Sequence, residues 1–174
     1  MIGLKRGTVK LLPHNRKWAA AFEKEKKILE KKLRSLAIDI QHIGSTAIPG
    51  IPAKPIVDMS LGVRAMKDAK KLIKPLKELG YEWRKEVGSP SIQLLFVRGP
   101  ESKRTHYLHV LRYGSAKWNS DLLFRDYLRK YRGRAKQYAT LKKKLEKSFA
   151  DNRYKYTAAK AKFIRNTIKK ARKI

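Results

Sequence analysis

The sequence predicts an α+β domain, strands with helices packed on them, and a helical segment at its C-terminal side. Three observations lead there. Stretches of strand character alternate with apolar stripes at helical spacing through the first two thirds of the chain. Gly- and Pro-containing turns join the later strand candidates. From Ser120 onward the pattern stays helical. At 174 residues with 42% hydrophobic content the chain can fill one core. The expected division is an α/β core over residues 1–118 and a basic helical segment over 119–174, packed on that core.

The elements follow in order. "GTVKLLP" is a short extended start, and from Asn15 a helix carries Trp18, Phe22, Leu29, Leu33 and Leu36 on one stripe. "AIDIQHIG" and "PIVDMSLGV" are strands separated by a Gly/Pro-punctuated connection. Residues 65–79 place Met66, Ala69, Leu72, Ile73, Leu76 and Leu79 on one face of an amphipathic helix that Gly80 ends. "YEWRKEV", "SIQLLFV" and "THYLHVLRY" are three further strands, joined through "GSP" and "RGPESKR". The C-terminal helices carry Tyr127, Tyr138, Leu141, Leu145, Phe149, Phe163, Ile164 and Ile168.

Charge narrows the partners. Lys and Arg number 44 against 14 acids, a formal net charge of +30, so most cations have no acidic side chain to pair with. A polyanion is the natural counterpart. Residues 125–174 hold nineteen Lys or Arg against three acids. The run "LKKKLEK", with Lys142 and Lys143, reads as the solvated face of a helix. The absence of cysteine excludes disulfides, thiolate nucleophiles and Cys-based zinc sites. No long apolar run points to a membrane, and a cytoplasmic location is expected.

The chemistry concentrates in "QHIGSTAIPGIPAKPIVDMSLGV". At Gly44 and Ser45 one strand ends and backbone N–H groups become available to an anion, with the Ser45 and Thr46 hydroxyls as further donors. Asp58 lies on the next strand, where residues two apart share a face, and Ser60 stands where a second carboxylate would have to be. Lys54 and Arg104 are candidate phosphate clamps, and each is also a candidate ion-pair partner for Asp58. His109, on a strand expected to flank Asp58, could ligate one metal ion, act as a general base, or be a hydrogen-bonded structural residue. His106 would face the other side, whereas His42 is expected near the same pocket. Arg125 and Asp126 read as a pair fixing helix to sheet.

The Gly-Ser turn followed after about a dozen residues by a strand aspartate resembles the nucleotidyltransferase (polymerase-beta-like) superfamily. "HIGSTAIPGIPAKPIVDMSLGV", with "HNRKWAAAFEKEKKIL", "RTHYLHVL", "WNSDLLFRDYLRKY", "YATLKKKLEKSF" and "YKYTAAKAKFI" in that order, is similar to the GrpB family within it across nearly the whole chain. The resemblance implies a mixed, mainly antiparallel sheet with packed helices. In active members of the superfamily two carboxylates on one strand and a third on a neighbour hold two divalent ions. Here Asp58 fits the first place, Ser60 takes the second, and "SIQLLFV" has no acid for the third. The function this implies is binding of a nucleotide or other phosphorylated small molecule. Nucleotidyl transfer would run through a reduced Mg²⁺ or Mn²⁺ site with Asp58 and His109 as metal-binding and catalytic residues. Gly44, Ser45, Thr46, Lys54, Ser60 and Arg104 would hold the phosphates. The rival is a non-catalytic protein binding RNA through its basic helices.

Overall fold

A computed structural model describes residues 2–173. The stripe after Asn15 becomes α1 (Lys17–Leu33), with Trp18, Phe22, Leu29 and Leu33 buried. Asn15 starts it by accepting the Lys17 N–H on its side-chain oxygen, 2.9 Å away, which satisfies one of the donors a first turn leaves without a partner. Leu36 falls just beyond, in a 3₁₀ turn over Arg34–Leu36. β1 (Asp39–Ile43) and β2 (Val57–Val63) follow.

The single helix expected over 65–79 is two short ones, α2 (Met66–Ala69) and α3 (Ile73–Glu78), joined by a 3₁₀ turn at Lys70–Leu72. Pro75 explains the break. It has no N–H for the Lys71 carbonyl, and its ring crowds the preceding turn. Gly80 ends α3 at φ 81°, a left-handed conformation that glycine takes without a Cβ clash. β3 (Tyr81–Trp83) is shorter than the sequence suggests. Just past it Arg84 pairs with Glu86, and the Val87 N–H bonds back to the Arg84 carbonyl, turning the chain. β4 (Gln93–Arg98), β5 (His106–Arg112), α4 (Ala116–Lys130), α5 (Arg132–Phe149) and α6 (Arg153–Ala171) complete the described chain.

The five strands form one open sheet in the order β1-β2-β5-β4-β3. It is mixed and mainly antiparallel, with β2 and β5 as the parallel pair. Alternation splits β2 between two faces. Val57, Met59, Leu61 and Val63 enter the main core with Phe22, Leu29 and Leu33 of α1 and Leu72 and Leu76 of the α2–α3 segment. Asp58 and Ser60 point the other way. That second face is covered by the C-terminal helices, whose own core joins Ile48 and Ile51 to Phe124, Leu128, Ala135 and Tyr138. The N-terminal segment straps the two parts together: Leu12 bridges Ala53, the Val9 N–H donates to the Ala150 carbonyl, and the Arg153 N–H donates to that of Gly7. No helix among the described residues is long and apolar enough to cross a membrane.

Candidate functional site

Between the second sheet face and α4–α6 lies a cavity of about 280 Å³. Its floor follows from pairing close to the chain. Asp58 sits opposite Ile43 across the antiparallel β1–β2 pair, so the Gly44–Ser45 turn is brought directly onto it. Gly44 has φ 68°, and a Cβ there would lie 2.7 Å from Asp58 Oδ2. Only a glycine lets the backbone come this close. Ser45–Ala47 forms a 3₁₀ turn in which the Ala47 N–H is the first to bond back, to the Gly44 carbonyl at 3.2 Å. The N–H groups of Ser45 and Thr46 therefore have no partner within the turn. On β5, His109 is in register with Ser60, and its Nε2 lies 4.0 Å from Asp58 Oδ1.

The roof is cationic. Lys142 of α5, Arg153 and Lys160 of α6, and Lys54 from the connection before β2 all line the cavity. Each rests against an aromatic ring. Lys54 and Lys160 lie 5.6 and 4.5 Å from the centre of the Tyr156 ring, Lys142 lies 4.8 Å from that of Tyr138, and the Arg153 guanidinium lies 4.3 Å from that of Tyr107. Rings stabilise cations weakly compared with a carboxylate. Burial dominates the titration of the three lysines. Desolvation, with Lys160 adding to it, lowers the Lys142 amine to about 7. Desolvation lowers Lys160 to about 8 against the pull of Asp58. Lys54 is pushed well down by burial and then by Arg153. Burial also raises the Asp58 carboxyl, against the pull of Lys54, Arg153 and Lys160. His109 is lowered to about 4 by burial and by Lys117, so its imidazole is neutral at physiological pH. The cavity lining thus holds five cationic side chains, these four and Lys117, against the two carboxylates of Asp58 and Asp121. Asp121 is itself engaged by Lys117.

The structure brings Gly44, Ser45, Lys54, Asp58 and His109 together as the sequence suggests. Thr46 lies beside them, but its hydroxyl is committed to His42 Nε2 at 2.9 Å and to the Ile56 carbonyl. Ser60 lies under the floor, fully buried, and both its Oγ and His109 Nδ1 lack a protein partner. Arg104 is elsewhere. It is held by Glu82 at 2.9 Å and by the Gly99 carbonyl, because β4–β3 pairing puts that acid within its reach while Asp58 lies across β5. The expectation for His42 is also corrected: it stacks on Phe22 at 4.8 Å on the opposite face, as strand alternation from Asp58 requires. Arg125 does fix helix to sheet, pairing with Asp126 at 2.7 Å and donating to Gln41 and to the His42 carbonyl. The reading of Lys142 as solvated is overturned. It is fully buried and donates to the Pro52 carbonyl, whereas its neighbour Lys143 is exposed. Sequence reasoning missed Lys142, Arg153 and Lys160. The signal available was spacing: Lys142 stands four residues after Tyr138, and Lys160 stands four after Tyr156 and four before Ile164, on apolar stripes.

A family model described as GrpB protein matches residues 8–170. The chain belongs to the GrpB family. It is 38% identical to the Glutamate-rich protein GrpB of Alkalihalophilus pseudofirmus, over 94% of this chain and 96% of that relative. It is 36% identical to the UPF0157 protein YqkA of Bacillus subtilis, over 95% of this chain but about half of YqkA, 48%. The crystal structure of the conserved protein GrpB from Enterococcus faecalis matches with a TM-score of 0.85 and 33% identity, covering 94% of this chain and 98% of that one. The GrpB fold is thus shared at the level of the whole sheet and its helices. This GrpB-family chain carries only 14 acids among 174 residues, although one relative is named for its glutamates.

Proposed function

We propose that the cleft binds a phosphorylated ligand of the nucleotide class through Lys54, Lys142, Arg153 and Lys160, above the Gly44–Ser45 turn. One observation carries this reading: four cations, Lys142 fully buried and Lys54, Arg153 and Lys160 half-buried, converge, each against a ring, over the carboxylate of Asp58. Burying charge without a counter-charge is costly. A phosphate chain supplies that counter-charge, and charge-assisted hydrogen bonds to it are among the strongest a protein makes. The likeness to nucleotidyltransferases supports the same ligand class.

That likeness also implies Mg²⁺ or Mn²⁺, and the donor set tests it. Asp58 and His109 approach each other, but Ser60 holds the second position. Among the described residues no group of three or more His, Cys, Asp or Glu could hold a metal ion. Hard dications take six or more ligands, mostly oxygen. The residues do not fit a resident ion. Binding, rather than metal-assisted transfer, is the activity these side chains support.

Titration calorimetry with inorganic tripolyphosphate in EDTA tests the proposal. The protein should bind it without a divalent ion, and Asp58→Asn should strengthen binding several-fold by removing a like charge. Binding that requires Mg²⁺ and disappears in Asp58→Asn would restore the metal site, and no binding under either condition would remove the proposal. A second reading, RNA contact, is favoured by Arg134, Lys169, Lys170 and Lys173, which cluster outside the cleft. Its signature is a steep loss of RNA affinity with salt that substitutions inside the cleft leave unchanged.

A further inference from the structure

The four cations of the cleft are held in different ways. Lys142 donates to the Pro52 carbonyl, and the Arg153 guanidinium donates to the Tyr107 hydroxyl. Among the described residues the amines of Lys54 and Lys160 meet no hydrogen-bond acceptor, only the Tyr156 ring between them. Lys54 is set apart by its base. Leu12 and Ala53 exchange backbone hydrogen bonds of 2.8 and 2.9 Å, and the Lys54 carbonyl accepts the Ile56 N–H at 2.8 Å. Pro55 between them has its φ locked by its ring and accepts the Gly3 N–H at 2.7 Å. The side chain therefore starts from a fixed point four residues before Asp58. Of the cations around that carboxylate, Lys54 exerts the strongest pull on it. An amine is a nucleophile only without its extra proton. Burial, and after it Arg153 and Lys160, disfavours that proton on Lys54.

We propose that Lys54 is a covalent modification site, acylated by an acyl phosphate, the mixed anhydride of a carboxylic acid and phosphate, bound in the cleft. This rests on the proposed phosphate binding and adds a reaction to it. Position selects the electrophile. In an acyl phosphate a single oxygen separates the carbonyl carbon from phosphorus, so an amine reaches that carbon only from within the group that holds the phosphate. Lys54 belongs to that group. The Lys54 nitrogen bonds to the carbonyl carbon, and the bond from that carbon to the bridging oxygen breaks. Phosphate leaves with the electron pair, its charge stabilised by Arg153 and Lys160. The proton released from nitrogen passes to Asp58. The products are an amide and inorganic phosphate, and no oxidant or reductant is consumed. The amide is uncharged, so the modification removes one of the four cations and weakens the cleft for the next anion.

Acetyl phosphate is the probe, incubated with the full chain near neutral pH. Peptide mass spectrometry follows the acetyl group at each lysine, with the exposed Lys143 as the internal reference. Holding the reagent beside the amine should make Lys54 react faster than Lys143 by about tenfold or more. Tripolyphosphate should suppress the reaction at Lys54 and leave that at Lys143 unchanged. The acetylated protein should then bind tripolyphosphate several-fold more weakly in calorimetry. Lys54 reacting no faster than Lys143, reacting without protection by tripolyphosphate, or giving way to Lys160 would overturn the modification site. Each of those results leaves the phosphate reading to the separate calorimetry on the unmodified chain. Absence of tripolyphosphate binding there would overturn both.

Discussion

Lys142→Met puts the proposed role of the buried amines to a quantitative test. The substitution keeps most of the unbranched stem and removes the charge. The Lys142 amine is held at about 7 instead of 10.5. At 1.36 kcal/mol for each tenfold change this disfavours the folded chain by about 4 kcal/mol at pH 7. Burial is the main cause of that shift, with Lys160 adding to it. Taking the amine away leaves the carbonyl without its donor, a loss of about 1–3 kcal/mol. The variant should therefore be more stable by about 2 kcal/mol, raising Tm by about 4–8 °C in a chain of this size. The sign with pH is fixed. Between about 7 and 10.5 the unfolded lysine holds a proton that the folded one has released, so the folded state's penalty is full below pH 7 and shrinks as pH rises. The gain from Lys142→Met should be largest near pH 6 and gone near pH 10. Scanning calorimetry across that range measures it, and tripolyphosphate titration should show roughly tenfold or greater loss of affinity in the same variant. A Tm that falls at pH 7, by an amount independent of pH, would refute the reasoning and make Lys142 a structural tie between α5 and Pro52.

The remaining expectations concern titration and the turn. Lys142 and Lys160 are lowered to about 7 and about 8 by burial, and an anion binds only their protonated forms. Tripolyphosphate affinity should therefore fall as pH rises from about 6.5 to 9, and a flat profile in calorimetry would separate the amines from the binding. Gly44→Ala places a Cβ 2.7 Å from Asp58 Oδ2 and 3.0 Å from its Cβ at φ 68°. Urea denaturation should show a loss of about 1–3 kcal/mol, and unchanged stability would mean that the turn and Asp58 can separate freely.

How much of this was legible follows from how far apart in the chain the cooperating residues lie. The Gly44–Ser45 turn and Asp58 could be found together because β1 and β2 are consecutive antiparallel strands, joined by residues 44–56, and their pairing sets Ile43 opposite Asp58. The faces of His106 and His109 were legible for a similar reason: once β5 is a strand, alternation decides them. The apolar stripe over 65–79 also contains Pro75, and there the structure shows the backbone rule prevailing over the stripe. For His42 the same alternation that worked for His109 argued against a place at the cleft once β1 and β2 pair.

The sequence by itself determined the element order, the α+β class, the glycine turn with its aspartate, a serine at position 60 on the same strand face, and the surplus of positive charge. Tertiary structure alone decided which of the 44 cations line the cavity. Lys142 and Lys143 are adjacent and chemically identical, but α5 packs so that one is fully buried under the cleft roof and the other faces water. Arg104 was drawn off by Glu82 through the placement of β3, which no local pattern encodes. The physical reason is common to both. Periodicity fixes which residues share a face, whereas the packing of helices and the order of strands fix what that face meets.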